Sequence, residues 1–322
     1  MAKNRMEASD EGIVLRYGDG PDSCDIYGAR DVFVYEHEGT YYMHYDGAGP
    51  KGWLAVLATS KDLKNWEKKG AVLELGGVND YDSKSASYGS VYYDGSKWHM
   101  FYLGTPNVSE DRYKVPQFPY TTMKAISDQP QGPWTKQKDV VPFFPQPDTY
   151  YGATASPGHI VRHNSEYLQF FSASTPFIKG MVKRTIGIAR TDNLNTLWKV
   201  DPEPILPLEE QIENASLYFE VANQTWFLFT NHVGIDGVEY TDAVWVYWTK
   251  DLTAWDPNNK AIVLDKRNCS WSKQIVGLPS VIKVGDKLAV FYDGLQTLKS
   301  NNPHMYRHIG LAWLNLPLNA PQ

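Results

Sequence analysis

Four phrases built alike, "TSKDLKNW", "ISDQPQGPW", "RTDNLNTLW" and "WTKDLTAW", end at Trp66, Trp134, Trp198 and Trp255. Their spacing of about sixty residues is too long for most solenoid repeats and suits a four-stranded propeller blade with long loops. Upstream of each phrase two β-rich segments flank a Gly, Asn or Asp turn: "DVFVYEHEGTYYMHYDG", "GSVYYDGSKWHMFYLG", "GHIVRHNSEYLQFFSA" and "SLYFEVANQTWFLFTN". A fifth such run, "PSVIKVGDKLAVFYDG", lies near the end. Each reads as a hairpin. Third strands follow in "WLAVLATS", "TMKAIS", "TIGIART", "AVWVYWTK" and "HIGLAWL". The sequence therefore predicts an all-β fold, a single five-bladed β-propeller over 1–322 with blades near 28–76, 84–143, 151–208, 212–266 and 272–318. Asp62, Asp128, Asp192 and Asp251 fall in polar turns after the third strands, and each tryptophan covers the outer edge of its blade.

Composition narrows the function. The chain has 322 residues, 42% of them hydrophobic, with 11 Trp and 21 Tyr, and such rings serve both sheet cores and the stacking of sugars. A net charge of -6 leaves no basic field for nucleic acid and no polybasic membrane patch. Cys24 and Cys269 cannot make a disulfide framework and read as free thiols. The opening "MAKNRMEASDEG" lacks the apolar centre of a signal peptide, and no stretch approaches the roughly 18 apolar residues of a membrane span. As written the chain reads as cytoplasmic, or as periplasmic or secreted if a leader has been removed.

A propeller's innermost strands line one central channel, so the polar residues that open each hairpin converge there. They are Arg30 and Asp31 in blade one, Tyr88 and Ser90 in two, Ser156 and His159 in three, Glu213, Asn214 and Ser216 in four, and Ser280 in five. Asp31 and Glu213 stand at what the pattern reads as equivalent starts. A carboxylate entering an apolar strand is costly to desolvate unless it is paired or used.

These phrases resemble glycoside hydrolase family 43 and related propeller glycosidases over essentially the whole chain. "RDVFVYEHEGTYYMHY" is similar to the family's blade-one phrase and puts Asp31 at the general base, with Val32 where the family has proline. "IENASLYFEVANQTWFLF" is similar to the phrase of the general acid and puts Glu213 there. The family's third carboxylate, which tunes the acid from blade three, has no counterpart in "ATASPGHIVRH"; His159, as modulator or alternative acid, and Asp82, with Asp80 beside it, are the substitutes. Ile212, Ala215 and Leu217 are read as apolar surroundings that raise the proton affinity of Glu213.

The resemblance implies an exo-acting hydrolase of an oligosaccharide or polysaccharide, releasing arabinofuranosyl, xylosyl or galactosyl termini. Carboxylates three blades apart predict the wide separation of an inverting pair, roughly 6.5–9.5 Å. Arg30, Tyr88, Ser90, Tyr151, Trp271, Arg307 and His308 are candidates for holding the sugar, with Tyr150 as a further stacking ring. "DGAGPKG" at 46–52 and "NVSEDRYKVPQFPY" at 107–120 read as long loops over the mouth. No cofactor is required; relatives allow a structural calcium ion on the axis, though no residue here specifies one. The alternatives are a retaining relative, a phosphorolytic one using Arg30, Arg162 and Arg307, and a non-catalytic carbohydrate-binding propeller. The blades' differing polar residues favour a single central site over a lectin's repeated ones.

Overall fold

The computed structural model of the protein describes residues 2–176, 182–236, 238–297 and 302–321. It is all-β, and the described residues outside strands include only two 3-10 turns, Pro21–Ser23 and Leu208–Glu210. The strands form four hydrogen-bonded sheets. Their antiparallel pairings sort into five successive four-stranded runs. Run one is Gly28–His37, Thr40–Gly49, Gly52–Ser60 and Glu67–Ala71; run two is Ser85–Tyr93, Trp98–Thr105, Thr121–Ser127 and Thr135–Lys136. These two share a sheet because Trp53 and Leu54 pair in parallel with Ser85 and Ala86. Run three is Thr154–His163, Glu166–Ser174, Arg184–Thr191 and Lys199–Val200, and run four is Ile212–Glu220, Thr225–Asp236, Val238–Thr249 and Lys260–Asp265.

Run five, Val276–Val284, Lys287–Gly294 and His308–Asn315, takes its fourth strand from the other end of the chain, Ser9–Leu15. That strand escaped the sequence reading because its partner is set by closure of the ring and by no local pattern. The first strand of each run packs against that of the next, and that of run five against that of run one.

The core follows the same circle. One apolar cluster lies between runs one and two (Leu54, Met100, Tyr102), one between two and three (Phe101, Phe171), one between three and four (Phe170, Leu228), one between four and five (Phe229, Val290) and one between five and one (Phe291, Val34). Alternate side chains of each sheet thus bury against two different neighbours. Removing Phe291, fully buried at the last of these seams, would cost about 3–5 kcal/mol.

The recurrent tryptophan phrases turn out to be edge turns. Asp62 Oδ1 accepts the backbone N–H groups of Lys64 and Asn65 at 2.9 and 2.8 Å, and Asp251 Oδ1 accepts that of Thr253 at 2.9 Å. The indoles of Trp66 and Trp255 donate to the carbonyls of Leu63 and Leu252, each at 2.8 Å. In these two phrases an aspartate caps the turn and a tryptophan closes it, whereas the indole N–H groups of Trp134 and Trp198 are buried without a hydrogen-bond partner among the described residues. Cys24 and Cys269 are free and buried, and no described helix is long and apolar enough to cross a membrane.

Candidate active site

Each run's first strand carries one extra residue near its start. The register shifts between Arg30 and Phe33, Ser87 and Gly89, Ser156 and His159, Glu213 and Ser216, and Gly277 and Ser280. A bulge breaks the two-residue alternation and re-aims the side chains beside it. At the bulge Asp31, Asn214 and Leu278 adopt left-handed φ of 50°, 56° and 56°, a conformation that costs a non-glycine residue about 1 kcal/mol or more. The bulges of the first four runs face one cavity.

That cavity, of about 550 Å³, is lined from every run: Arg30, Asp31 and Asp46 from the first, Ser87 and Tyr88 from the second, Ser156 and Arg184 from the third, Glu213 and Asn214 from the fourth, and His304 and Arg307 from the fifth. Its size is that of a small-ligand site. Val115, Pro116, Gln117, Phe118 and Tyr120 of the 107–120 loop form part of its wall, where the sequence placed that loop. The 46–52 segment is no long loop: the strands run to Gly49 and restart at Gly52 as a tight hairpin. It still reaches the cavity through Asp46, and Trp53, the residue after it, lines the cavity too.

Asp31 is held from several sides. Arg30 Nε donates to its Oδ2 at 2.7 Å, and Asn214 Nδ2 donates to its Oδ1 at 3.0 Å. The Arg30 guanidinium also donates through Nη1 to His304 Nδ1 at 2.6 Å and lies over the Trp53 ring, 5.3 Å from its centre. An arginine has no acceptor, so His304 Nδ1 must be the bare nitrogen and Nε2 carries the proton. Burial, and then the charge of Arg30, hold that imidazole well below histidine's usual range.

Glu213 Oε2 accepts from Arg184 Nε at 3.1 Å, and Oε1 lies 3.4 Å from Asn231 Nδ2. About a quarter of its side chain, 26%, is open to the cavity. The apolar surroundings read from Ile212, Ala215 and Leu217 belong to the other side of the strand, where all three sit in the core between runs three and four.

Two further corrections come from the register. The counterpart of Asp31 in run four is Asn214, and Glu213 is the counterpart of Arg30: the pairs Arg30 with Asp46 and Glu213 with Asn231 precede each bulge. His159 follows its bulge and lies outside the cavity lining. Its Nδ1 accepts the Leu217 N–H at 3.2 Å, as Ser216 Oγ accepts that of Val281 and Ser280 Oγ that of Val34, both at 2.9 Å. His159 is thus one of a set of clamps joining neighbouring runs, and burial lowers its imidazole to about 4. Ser90 holds the corresponding place in run two, away from the cavity, with Gln169 Nε2 3.5 Å from its hydroxyl.

The remaining candidates divide. Arg30, Tyr88 and Arg307 line the cavity. Asp82 does not: buried, it accepts from Tyr102 Oη at 2.7 Å and pairs with Lys136 at 2.5 Å. Asp80 pairs with Lys138 nearby, at 2.8 Å. Tyr150 and Tyr151 pack in the core beside Phe171. Trp271 stacks on Tyr292 and donates to its hydroxyl at 2.7 Å, and His308 stacks on Tyr17. Arg162 lies over Tyr167, 5.5 Å from its ring centre. Each of these is an aromatic or charged residue near a strand end whose direction only the bulge and the neighbouring sheet decide.

Sequence reasoning missed Asp46, Arg184, Asp293 and His304, and it set Asn214 at the channel without giving it a role. A signal for two of them was present: "YDG" closes the second strand of both run one and run five, as Tyr45-Asp46-Gly47 and Tyr292-Asp293-Gly294. Asp293 is fully buried and pairs with Arg307 Nη1 at 2.9 Å, and burial raises its carboxyl to about 6 against the pull of that guanidinium. Among the described residues no group of three or more His, Cys, Asp or Glu is placed to hold a metal ion.

No family model matches the chain. A 53-residue stretch, 16% of this chain and 18% of the relative, is 40% identical to the 1,2-beta-oligomannan phosphorylase of Thermoanaerobacter sp. (strain X514). Solved structures match over nearly the whole length. One glycoside hydrolase superposes with a TM-score of 0.72 at 14% identity, covering 98% of this chain and 96% of its own. The catalytic domain of the Coprinopsis cinerea GH62 alpha-L-arabinofuranosidase gives 0.70 at 12% identity, over 96% and 97%. A thermostable family-43 glycoside hydrolase gives 0.64 at 15%, over 95% and 99%. The chain therefore has the fold of the propeller glycosidases of the family 43-like superfamily.

Proposed function

We propose that the protein is an exo-acting glycoside hydrolase, one domain of five propeller blades, that removes a terminal arabinofuranosyl, xylosyl or galactosyl unit from an oligosaccharide or polysaccharide. The observation that carries this reading is the meeting of Asp31 and Glu213, 182 positions apart in sequence, in the lining of one cavity together with Arg30, Arg184 and Arg307. In the proposed step Asp31 takes a proton from water as the water oxygen bonds to the anomeric carbon. The bond from that carbon to the leaving oxygen breaks, and Glu213 gives the leaving oxygen its proton. The reaction inverts the anomeric centre.

Glu213→Gln tests the assignment. Natural linkages should slow by roughly 10² to 10⁴, whereas an aryl glycoside with a good leaving group should suffer much less. Equal losses would remove Glu213 as the acid. Proton NMR of the first product formed by the wild type reads inversion or retention directly.

A phosphorolytic reading is favoured by the three guanidiniums at the cavity and by the short match to an oligomannan phosphorylase. There an oxygen of inorganic phosphate replaces water and the product is a sugar phosphate. Turnover that requires added phosphate would select it, and sugar binding without turnover would select a carbohydrate-binding module.

A further inference from the structure

The geometry points to Asp46 as a positioning residue for Asp31, holding the one proton of a carboxyl–carboxylate pair and donating it to the Asp31 carboxylate. The inference rests on the reading of Asp31 as the base. Asp46 lies on the second strand of run one, paired in register with Arg30. Only 4% of it is exposed, and it lines the cavity. Its Oδ1 accepts the backbone N–H of Tyr88 from run two, and its carboxyl shares the cavity lining with that of Asp31, whose neighbour Arg30 stands opposite Asp46 in register.

The charged and titratable groups that face Asp46 are Asp31 and Arg30 from its own run and Tyr88 from the next. One cation thus serves two carboxyl groups. Two neighbouring carboxylates that share one cation in a buried cluster cannot both ionise cheaply, so one proton stays with the pair. Both oxygens of Asp31 already accept, Oδ2 from Arg30 and Oδ1 from Asn214, which makes Asp31 the anion. Burial, and then the charge of Asp31, push the Asp46 carboxyl well above the usual carboxylate range.

Asp293, paired across its strand with Gly277 as Asp46 is with Arg30, differs in having Arg307 as its own partner at 2.9 Å. The arrangement gives Asp31 three donors from three directions, Arg30, Asn214 and Asp46. A carboxylate so tethered keeps one orientation toward the cavity without reorganising during the reaction.

Infrared difference spectroscopy on the full chain tests the proton itself. At neutral pH the wild type should show the C=O stretch of a protonated carboxylic acid that Asp46→Asn lacks. Identical spectra for the two proteins would overturn the proposal, whatever the enzyme's substrate proves to be. Kinetics test the role. Asp46→Asn still offers a donor, so kcat should fall within about tenfold with KM little changed, and Asp46→Ala should lose about 10²-fold or more. The alkaline fall of kcat/KM caused by loss of the Asp46 proton should vanish in Asp46→Asn. If Asn is as inactive as Ala while both proteins fold, Asp46 exchanges its proton during turnover and is no positioning residue. A wild type inactive on every glycoside would sink the proposed hydrolase and leave the infrared result to decide the proton's place.

Discussion

Asn214 Nδ2 donates to Asp31 Oδ1 at 3.0 Å, joining two residues 183 positions apart in sequence. Both sit at the same bulge position of their runs, and both have left-handed backbones. The bulge turns each side chain into the cavity, and closure of the ring brings them face to face.

This contact predicts opposite pH behaviour for two substitutions. Asn214→Ala removes a donor, and kcat should fall by about 10- to 100-fold at every pH. Asn214→Asp places a second carboxylate against Asp31, and like charges disfavour each other's ionised form. Its activity should be lowest at neutral pH and recover partly on acidification. Full pH–rate profiles of both variants check the pair, and parallel profiles would count against it.

Arg30→Lys keeps the charge and loses the geometry. The guanidinium serves Asp31 through Nε and His304 through Nη1 while lying over Trp53, and an ammonium cannot reproduce that fork. We expect kcat/KM to fall by about 10²-fold or more, with a melting temperature close to the wild type's. A loss of less than threefold would show that the fork is dispensable.

His44 and His159 should make the fold acid-sensitive. Burial lowers their imidazoles to about 3 and about 4, below the unfolded value of about 6.5. Their contribution is therefore complete above pH 6.5 and is lost as the pH falls toward those folded values. Urea midpoints should drop between pH 7.5 and pH 5. In His159→Ser, which places at this position the residue found at Ser216 and Ser280, the protein should be less stable at neutral pH yet show a smaller drop.

Asp293→Ala should destabilise strongly, because it leaves Arg307, 1% exposed, without its buried partner. A loss of about 3–5 kcal/mol is expected from broken buried pairs. Replacing both residues by leucine should cost less than replacing Asp293 alone, which equilibrium unfolding of the wild type and the two variants would show.

Much of the fold was legible in the chain. Strand alternation, hairpin turns and the recurring tryptophan phrases depend on neighbours within a few residues, so they located the hairpin and third strand of every run and the edge turns at Asp62 and Asp251. Asp31, Glu213, Arg30, Tyr88 and Arg307 were found because polar residues at the starts of strands are conspicuous against apolar sequence. The direction of each side chain was beyond such a reading. One extra residue per strand shifts the alternation, which made Asn214 the counterpart of Asp31, placed His159 and Ser90 away from the cavity, and set the apolar neighbours of Glu213 on the far side of its strand. Local sequence determined where the strands form, because backbone pairing and burial periodicity are short-range. The tertiary structure decided which charges meet, because Asp46, Arg184, His304 and the Ser9–Leu15 strand acquire their partners only when the ring closes.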